Sequence, residues 1–260
     1  RYSKARPRIS HRVWQLVEAL IRDEWSPEQV VGRVEMEQGV TISHEWIYQY
    51  VYADKHSGGD LYRYLRCQKL RRRRYGSYDR RGCIPNQVSI DERPAIVDAR
   101  QRFGDWEGDT VIGKGHRGAL VTLVERKSLY TVIRCVLRKT AEAVREAVVD
   151  GLAPYSDRVH TITYDNGREF ADHEGMARDL DARIYFAHPY ASWERGLNEN
   201  TNGLIRQYFP KHRDLTTATQ QEIKQAMDKL NHRPRKSLGF RTPYEVFFNT
   251  KTSLTVALQS

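Results

Sequence analysis

The N-terminal part of the chain repeats apolar positions with the period of an α-helix. Between residues 10 and 24 they fall on one helical face: Val13, Leu16, Val17, Leu20 and Ile21. Residues 26–29 (SPEQ) then signal a helix start, with serine as cap, proline in the first turn and glutamine at the capping-box position. A second helix is expected from there to about Gly39, and Ser43 can cap a third helix over about 44–54.

Two helices joined by a short glycine-bearing turn, with a supporting helix before them, are typical of a helix-turn-helix module. The third helix would then enter the major groove of DNA, and its exposed positions are candidates for DNA contact: His44, Glu45, Tyr48 and Gln49. Three other positions are expected to face the core: Trp46, Ile47 and Val51. An ordinary three-helix packing unit is the alternative that this pattern leaves open.

After Gly104 the pattern changes to short apolar runs that alternate with turns and helical stretches. Five strands are predicted, at residues 105–112, 118–126, 129–137, 159–164 and 183–187. The turn at 113–117 should join the first two strands in a hairpin. Helices are predicted at about 141–153, near 173–181 and after the fifth strand. This order describes an α/β fold, in which a five-stranded mixed sheet with helices on both faces follows an all-α module.

The charge of the chain is positive and unevenly spread. Of the net charge of +10, residues 1–103 contribute +7, from 20 basic and 13 acidic residues. Nine Lys or Arg residues and one acid lie between Arg63 and Arg81, and four tyrosines are interleaved with or flank them. Such a run repels itself unless phosphates neutralise it. Residues 55–100 are therefore expected to form a basic DNA-contacting linker; a solvated hinge or targeting patch is the alternative. The foremost candidates for DNA contact are Arg71, Arg72, Arg73 and Arg74.

Several classes of protein are disfavoured by what the chain lacks. No apolar run approaches the roughly 18–20 residues that span a bilayer, and no signal peptide is evident. The chain has three cysteines and no Cys-x-x-Cys pair: Cys67, Cys83 and Cys135. We therefore expect no structural zinc site, and scattered thiols suit a protein of the reducing cytoplasm. Because the first residue is Arg1, the natural chain is expected to begin upstream.

Three acidic residues lie at positions where a functional role would explain their charge. Asp109 lies inside the first predicted strand, and Asp165 directly follows the fourth. Ligands of open α/β sheets sit at the carboxyl ends of strands, so these two acids could share a metal ion if the strands are neighbours. Glu199 falls in the first turns of the helix after the fifth strand. Two or three carboxylates suffice to hold the Mg²⁺ ions that phosphodiester transfer requires.

These acids are three of 33, so chemistry alone does not single them out. Glu169 is the strongest rival, because it stands four residues after Asp165. We expect Glu169 and Asn166 to support the site from behind the ligating acids rather than to bind metal themselves.

The segments that contain the three acids are recognisable. GDWEGDTVIG, TYDNGREF and NENTNGLIRQYFPK resemble the three acidic motifs of DDE transposases, and most closely the family of bacterial insertion sequences called insertion sequence thirty. The 33 residues between the second and third acids (166–198) are similar to that family's spacing. WSPEQVVGRV, HEWIYQYVY and NHRPRKSLGFRTPYEVF agree as well, so the resemblance covers roughly residues 7–248.

The resemblance implies an RNase H-like catalytic domain and a transposase that binds the terminal inverted repeats of its element, then cleaves and transfers DNA strands. It places Asp109, Asp165 and Glu199 on the metal-binding triad, with two Mg²⁺ or Mn²⁺ ions. It also implies double-stranded DNA as partner, a homo-oligomer (a dimer is expected), a nucleoid-associated place in a bacterial cytoplasm, and neither a membrane nor a small-molecule substrate. Family members usually carry a further helix-turn-helix module before the one predicted at 10–54, and in this sequence we expect it to be missing or reduced to RYSKARPR.

The resemblance also suggests roles for residues around the triad. Tyr190 and Trp193 could stack on an unpaired base, with loop packing as the alternative. Phosphate contacts are expected from Arg195, Arg206 and Lys211. Asn202 offers hydrogen bonds to DNA, although asparagine is also a common helix cap. More DNA-facing charge is expected after a helix at about 217–231, from Arg233, Arg235, Lys236 and Arg241.

The predicted organisation is a helix-turn-helix domain at 1–54, the basic linker at 55–100, the catalytic domain at 101–250 and a tail at 251–260. Two other functions stay open at this point. One is a DNA-binding regulator with a silent catalytic domain, and the other is a different RNase H-like nuclease or integrase.

Overall fold

The computed structural model describes residues 9–65, 84–189 and 191–252. The chain divides into two compact units, one formed by Arg1–Tyr75 with Arg233–Ser260 and the other by Gly76–His232. Within the described residues, no helix combines the length and hydrophobicity needed to cross a bilayer.

The first unit begins with three helices, α1 (His11–Arg22), α2 (Pro27–Gln38) and α3 (His44–His56). The starts of α2 and α3 follow the capping signals predicted at Ser26 and Ser43, and Ser10 caps α1 in the same way: each serine side chain accepts a hydrogen bond from a first-turn amide. At α2 the capping box is complete. Gly39 ends this helix in the left-handed conformation, with φ of 64°.

The predicted apolar face of α1 is buried at all five positions and packs against α2 and α3. On α3, Ile47 and Val51 are fully buried, whereas Trp46 is half-buried at the edge of this core. The rings of Trp14 and Tyr50 stack with centroids 4.2 Å apart, which fixes α1 against α3. The three predicted helices therefore share one core, which both the helix-turn-helix interpretation and an ordinary three-helix unit predict.

The second unit contains a five-stranded sheet with helices. In chain order its elements are α4 (Ala95–Asp98), β1 (Asp105–Ile112), β2 (Ala119–Glu125), β3 (Thr131–Val136), α5 (Ala141–Leu152), β4 (Thr161–Tyr164), α6 (His173–Leu180), β5 (Arg183–Phe186), α7 (Gly196–Tyr208) and α8 (Gln220–Asn231). The strand order is β3-β2-β1-β4-β5. β1 pairs with β2 and β2 with β3 in antiparallel orientation, and the pairs β1–β4 and β4–β5 are parallel. The mixed five-stranded sheet and the hairpin are confirmed, and the first and fourth strands are neighbours, which is the condition for their two acids to share a metal ion.

Helices cover both faces of this sheet, as predicted. One face packs against α7 and α8 through an apolar cluster that contains Val111, Leu120 and Ile133. On the opposite face α5 approaches so closely that a Cβ atom added at Gly151 would lie 3.3 Å from Val132. The alternation of side chains along β1 therefore sends Asp109 toward α7 and Thr110 toward the α5 side.

The last described residues return to the first unit. A short helix, α9 (Pro243–Phe247), starts with a complete Thr242 capping box. Glu245 on this helix forms a buried ion pair with Arg33 of α2, and both side chains are 3% exposed. The ring of Phe240 lies against Gly32, where an added Cβ would be 2.3 Å from it. Gln29 also donates a hydrogen bond to the carbonyl of Pro234, so α2 has partners more than 200 residues away.

This arrangement differs from the expected domain boundaries in two places. Residues from Arg233 onward belong to the helical unit and not to the sheet unit, because their buried partners lie on α2. The expected linker is also divided, since Leu61 lies in the core of the helical unit and Val97 is buried in the sheet unit. Arg233 was expected to face DNA, but its side chain is fully buried and forms an ion pair with Glu24 at 3.3 Å. Its role in this unit is therefore structural.

The Arg33–Glu245 pair is expected to be a main support of the helical unit. Removing one partner of a buried pair leaves the other charge uncompensated, so Glu245→Gln should lower the free energy of unfolding by about 3–5 kcal/mol. The exposed pair Lys236–Glu28 provides the control, and Lys236→Gln should change it by no more than about 1 kcal/mol. Urea unfolding of both variants measures the difference, and equal stabilities would contradict it.

The same pair predicts loss of stability in acid. Burial alone would raise the pKa of Glu245, but hydrogen bonds from Arg33 and from the amides of Thr242 and Thr252 outweigh it and lower the pKa to about 2. A lowered pKa means that the stabilisation is complete above the unfolded-state pKa of about 4.3 and is lost as the pH falls toward 2. Glu245→Gln should flatten this acid limb of the unfolding curve.

Candidate active site

Two of the three candidate acids lie side by side at the centre of the sheet. β1 and β4 run parallel, with Glu107 opposite Thr163. Two residues further along each strand, the same register brings Asp109 next to Asp165. Asp165 lies just past the end of β4. The carboxyl edge of these neighbouring strands is therefore acidic, as the strand-end reasoning predicts.

The Asp109 carboxylate is held by hydrogen bonds from two directions. The side-chain amide of Asn202 on α7 donates to Oδ2 at 2.9 Å, and the backbone amide of Thr110 donates to Oδ1 at 2.7 Å. Thr122 on β2 steadies the pair, since its hydroxyl lies 3.1 Å from the Asn202 carbonyl oxygen. This carboxylate is thus oriented by the protein rather than by solvent.

Burial raises the pKa of Asp109 to about 6. The guanidinium of Arg195 acts in the opposite sense, whereas the negative charge of Asp165 raises the pKa further. The site therefore resists holding two negative charges without a cation between them.

Arg195 supplies positive charge at this place. Its Nη1 atom lies 3.6 Å from Asp109 Oδ2, and its Nη2 atom lies 3.4 Å from Asp165 Oδ2. The side chain is 11% exposed, and Nη1 also donates a 3.5 Å hydrogen bond to the carbonyl of Gly108. One cation thus faces both acids.

Glu199 lies in the first turn of α7 and is exposed. The start of α7 is attached to β1, because the Asn198 amide donates to the buried Glu107 carboxylate at 3.2 Å. Asn202, one turn later, bonds to Asp109. Asn198 and Asn202 therefore fix the helix that carries Glu199 beside the strand that carries Asp109.

The described residues contain no group of three or more His, Cys, Asp or Glu side chains already placed to hold a metal ion. The structure thus brings Asp109 and Asp165 together and leaves Glu199 outside a preformed three-ligand cluster. The donor set still fits a hard divalent cation, since two carboxylates converge on one positive charge, that of the Arg195 guanidinium.

Nearby acids have structural partners. Asp105 forms an ion pair with Arg102 at 2.9 Å and accepts a hydrogen bond from Thr161. Glu107 pairs with the buried Arg126. These contacts account for both charges inside the sheet without a ligand.

Glu169 and Asn166 support the acidic edge in distinct ways. Lys139 Nζ and the Thr110 hydroxyl each lie 2.8 Å from Glu169 Oε1. Although burial raises the pKa of Glu169, these partners outweigh it and the pKa is lowered. The Asn166 amide donates to the carbonyl of Ala187 at 2.8 Å and so ties the loop after β4 to the end of β5. Their expected supporting role stays a prediction that these contacts favour.

The other candidate contacts are scattered. Arg206 donates to the carbonyls of Ile112 and Phe209, and Lys211 is exposed. On α3 the expected recognition residues are all exposed: His44, Tyr48 and Gln49. Several candidates fall outside what the structure describes, namely the side chain of Trp193 and residues Tyr190, Arg71, Arg72, Arg73 and Arg74.

Three features were missed by sequence reasoning, two in the sheet unit and one in the helical unit. Lys139 follows β3 closely, and the strand-end argument that found Asp165 could have found it too. The ring of Tyr52 is 53% exposed and stacks on Tyr48, one helical turn away on α3. His188 bridges two carboxylates, Glu194 at 2.8 Å and Asp91 at 2.9 Å, and no local pattern indicates this.

Comparison with known proteins matches this chain to one family model and to transposases of insertion sequences. The family model described as "Integrase core domain" matches residues 99–192. The chain is 48% identical over 242 residues to the transposase for insertion sequence element IS4351 of Bacteroides fragilis, covering 93% of this chain and 74% of that protein. It is 38% identical over 246 residues to the transposase InsI for IS30C of Escherichia coli, covering 89% and 63%.

Among solved structures, the catalytic core domain of HTLV-2 integrase in complex with magnesium is similar in fold. The TM-score is 0.43 at 20% sequence identity, and the match covers 55% of this chain and 95% of that one.

The bridge at His188 predicts a pH-dependent contact. Hydrogen bonds to Glu194 and then Asp91 raise the pKa of His188. The stabilisation is therefore complete below the ordinary histidine pKa of about 6.5 and is lost as the pH rises through the raised value. An NMR titration of the imidazole should show a midpoint above about 6.5 that Glu194→Gln lowers. Glu92→Gln, an exposed neighbour of Asp91, is the control, and a midpoint insensitive to Glu194→Gln would contradict the bridge.

Proposed function

Because the chain belongs to the IS30 family of insertion-sequence transposases, we propose that it binds the terminal inverted repeats of its element and catalyses metal-dependent DNA strand cleavage and strand transfer. The observation that carries this proposal is the pairing of Asp109 with Asp165 on adjacent parallel strands, facing one cation. Glu199, in the first turn of the neighbouring helix α7, completes the acidic triad.

We assign the metal ligands to Asp109, Asp165 and Glu199, with Mg²⁺ or Mn²⁺ as the ions and two ions per site. Such ions make an attacking hydroxyl nucleophilic and stabilise the leaving oxygen. The remaining work falls to the protein. Asn202 and the Thr110 amide orient the Asp109 carboxylate, and the attachment of Asn198 to Glu107 keeps α7 against β1. Positioned ligands of this kind save reorganisation during the reaction.

DNA recognition is assigned to the helical unit. The exposed side chains of α3 would enter the major groove: His44, Tyr48, Gln49 and Tyr52. Near the acids, Arg195, Arg206 and Lys211 would contact phosphates, Asn202 would be within reach of DNA, and Tyr190 and Trp193 would stack on a base. The basic run Arg71–Arg74 would neutralise the backbone.

The assembly proposed is a homodimer on two element ends, in keeping with the need to cut and join both. A nucleoid-associated place in the cytoplasm follows from DNA as substrate and from the charge of +10.

Neutral substitutions in the triad test the catalytic assignment. Asp109→Asn, Asp165→Asn and Glu199→Gln should each lower Mg²⁺-dependent cleavage of a duplex that carries the element end by roughly a thousand-fold, because several kcal/mol of metal stabilisation are lost. Binding to the same duplex should change little. Asp157→Asn removes an acid that is 79% exposed and should leave cleavage unchanged.

Cleavage by all three variants at the wild-type rate would overturn the assignment. Tight binding by the wild-type chain without nicking at any Mg²⁺ or Mn²⁺ concentration would favour a silent regulator. Efficient cutting of an RNA–DNA hybrid would favour a nuclease instead.

Gln49 on α3 tests the DNA-reading role of the helical unit. Gln49→Ala should weaken binding to the inverted repeat by about 1–3 kcal/mol, since a glutamine reads a base edge through two hydrogen bonds. Its binding to unrelated DNA should stay the same. Gln38→Ala, at the exposed end of α2, is the matched control. Equal losses on both DNAs, measured by fluorescence anisotropy, would contradict base reading by Gln49.

A further inference from the structure

Arg195 stands where two like charges meet. Within the described part of the chain, the ion pairs of Asp109 and Asp165 are both made with this guanidinium, at 3.6 and 3.4 Å. Lys139, the other cation at this edge, is engaged with Glu169 at 2.8 Å. The carboxylates of Asp109 and Asp165 are 22% and 32% exposed, so solvent screens their repulsion only in part, and the guanidinium between them offsets it further.

The hold of Arg195 on the acids is loose. Both ion-pair distances exceed the 2.7–2.9 Å of well-formed charged hydrogen bonds, and among the described residues the guanidinium donates one hydrogen bond, to the Gly108 carbonyl, which is 3.5 Å long. Its Nε atom is buried without a hydrogen-bond partner among the described residues. By contrast, Arg102 holds Asp105 through two hydrogen bonds of 2.9 Å each. Arg195 is thus attracted by the charges but not locked to them.

The backbone position of Arg195 links the acids to α7. It is the last residue of a short 3-10 turn, Ser192–Arg195, and α7 starts at the next residue, Gly196. A Cβ atom added at Gly196 would meet nothing within 4 Å, so the chain has room at this junction. Glu199 follows four residues after Arg195. Arg195 therefore lies at the start of the helix that carries Glu199.

We propose that Arg195 is a positioning residue that holds Asp109 and Asp165 together before a divalent ion binds, and that the ion takes over its place between them. The proposal rests on the proposed function, since it assumes that these two acids ligate the metal. The carboxylates of Asp109 and Asp165 would then hold the divalent ion in place of the guanidinium. The guanidinium is released toward DNA phosphate, the anion that its planar donors fit.

The contact itself is tested without metal. In EDTA, Arg195→Gln should lower the melting temperature of the full 260-residue chain by roughly 2–4 °C, because the two carboxylates lose their shared counter-charge. In the Asp109→Asn, Asp165→Asn background the same substitution should have less than half of that effect. A merely structural role of Arg195 would give equal effects in both backgrounds, and this result would overturn the proposal.

The displacement of the Arg195 guanidinium by a divalent ion is tested by Mn²⁺ binding. Binding is measured by titration calorimetry and by the electron paramagnetic resonance signal of free Mn²⁺. Arg195→Gln should bind Mn²⁺ at least several-fold more tightly than the wild type, since the ion no longer displaces a guanidinium. Arg195→Lys should lie between them. Arg134→Gln removes one positive charge from the same unit, where Arg134 pairs with Asp150 at 2.6 Å, and should bind as the wild type does.

The outcomes separate the two claims. If wild-type Mn²⁺ binding is abolished by Asp109→Asn but Arg195→Gln binds no more tightly than Arg134→Gln, the role of Arg195 is overturned and the metal site stands. If the Asp109→Asn variant binds Mn²⁺ as tightly as the wild type, the proposed metal site is wrong. The proposed displacement of Arg195 is then wrong as well.

Discussion

The parallel pairing of β1 with β4 imposes the constraint on which the rest of the site depends. It sets Asp109 beside Asp165, and two carboxylates partly withdrawn from water repel each other. The surrounding contacts can be understood as the means of keeping this pair in place. Arg195 offers a shared positive charge, and Asn202 and the Thr110 amide hold one carboxylate in a defined orientation. The energetic cost of this concentration of charge is what a divalent cation would remove.

The third acid depends on a different contact. Glu199 is carried by α7, and the start of this helix is fixed by Glu107, a buried acid on the same strand as Asp109. The charge of Glu107 is in turn balanced by Arg126. One strand therefore presents a ligand candidate and also anchors the helix that presents another. This explains why a second charge stands inside β1 only two residues from the first.

Much of this could be predicted from local patterns. The starts of α2 and α3 were found through their serine caps, and the strands through apolar runs, because each of these signals lies within a few residues of sequence. Asp109 and Asp165 were found because a charge inside or just after a strand is unusual. What could not be predicted depends on distant partners. The Arg33–Glu245 pair joins residues 212 apart, so no local pattern showed that the segment after Arg233 packs on α2. The contacts of Asn202 with Asp109 and of Arg195 with both aspartates were not predicted either, because each joins residues far apart in the chain.

The central claim is that Asp109 and Asp165 share a divalent ion, with Glu199 as the third ligand. Anomalous scattering from Mn²⁺ in crystals of the chain bound to a DNA end tests it most directly. The account predicts a peak within bonding distance of a carboxylate oxygen of both aspartates, with Glu199 turned toward the same site. A peak at Glu169 or Glu107, with none touching Asp109 and Asp165, would contradict it.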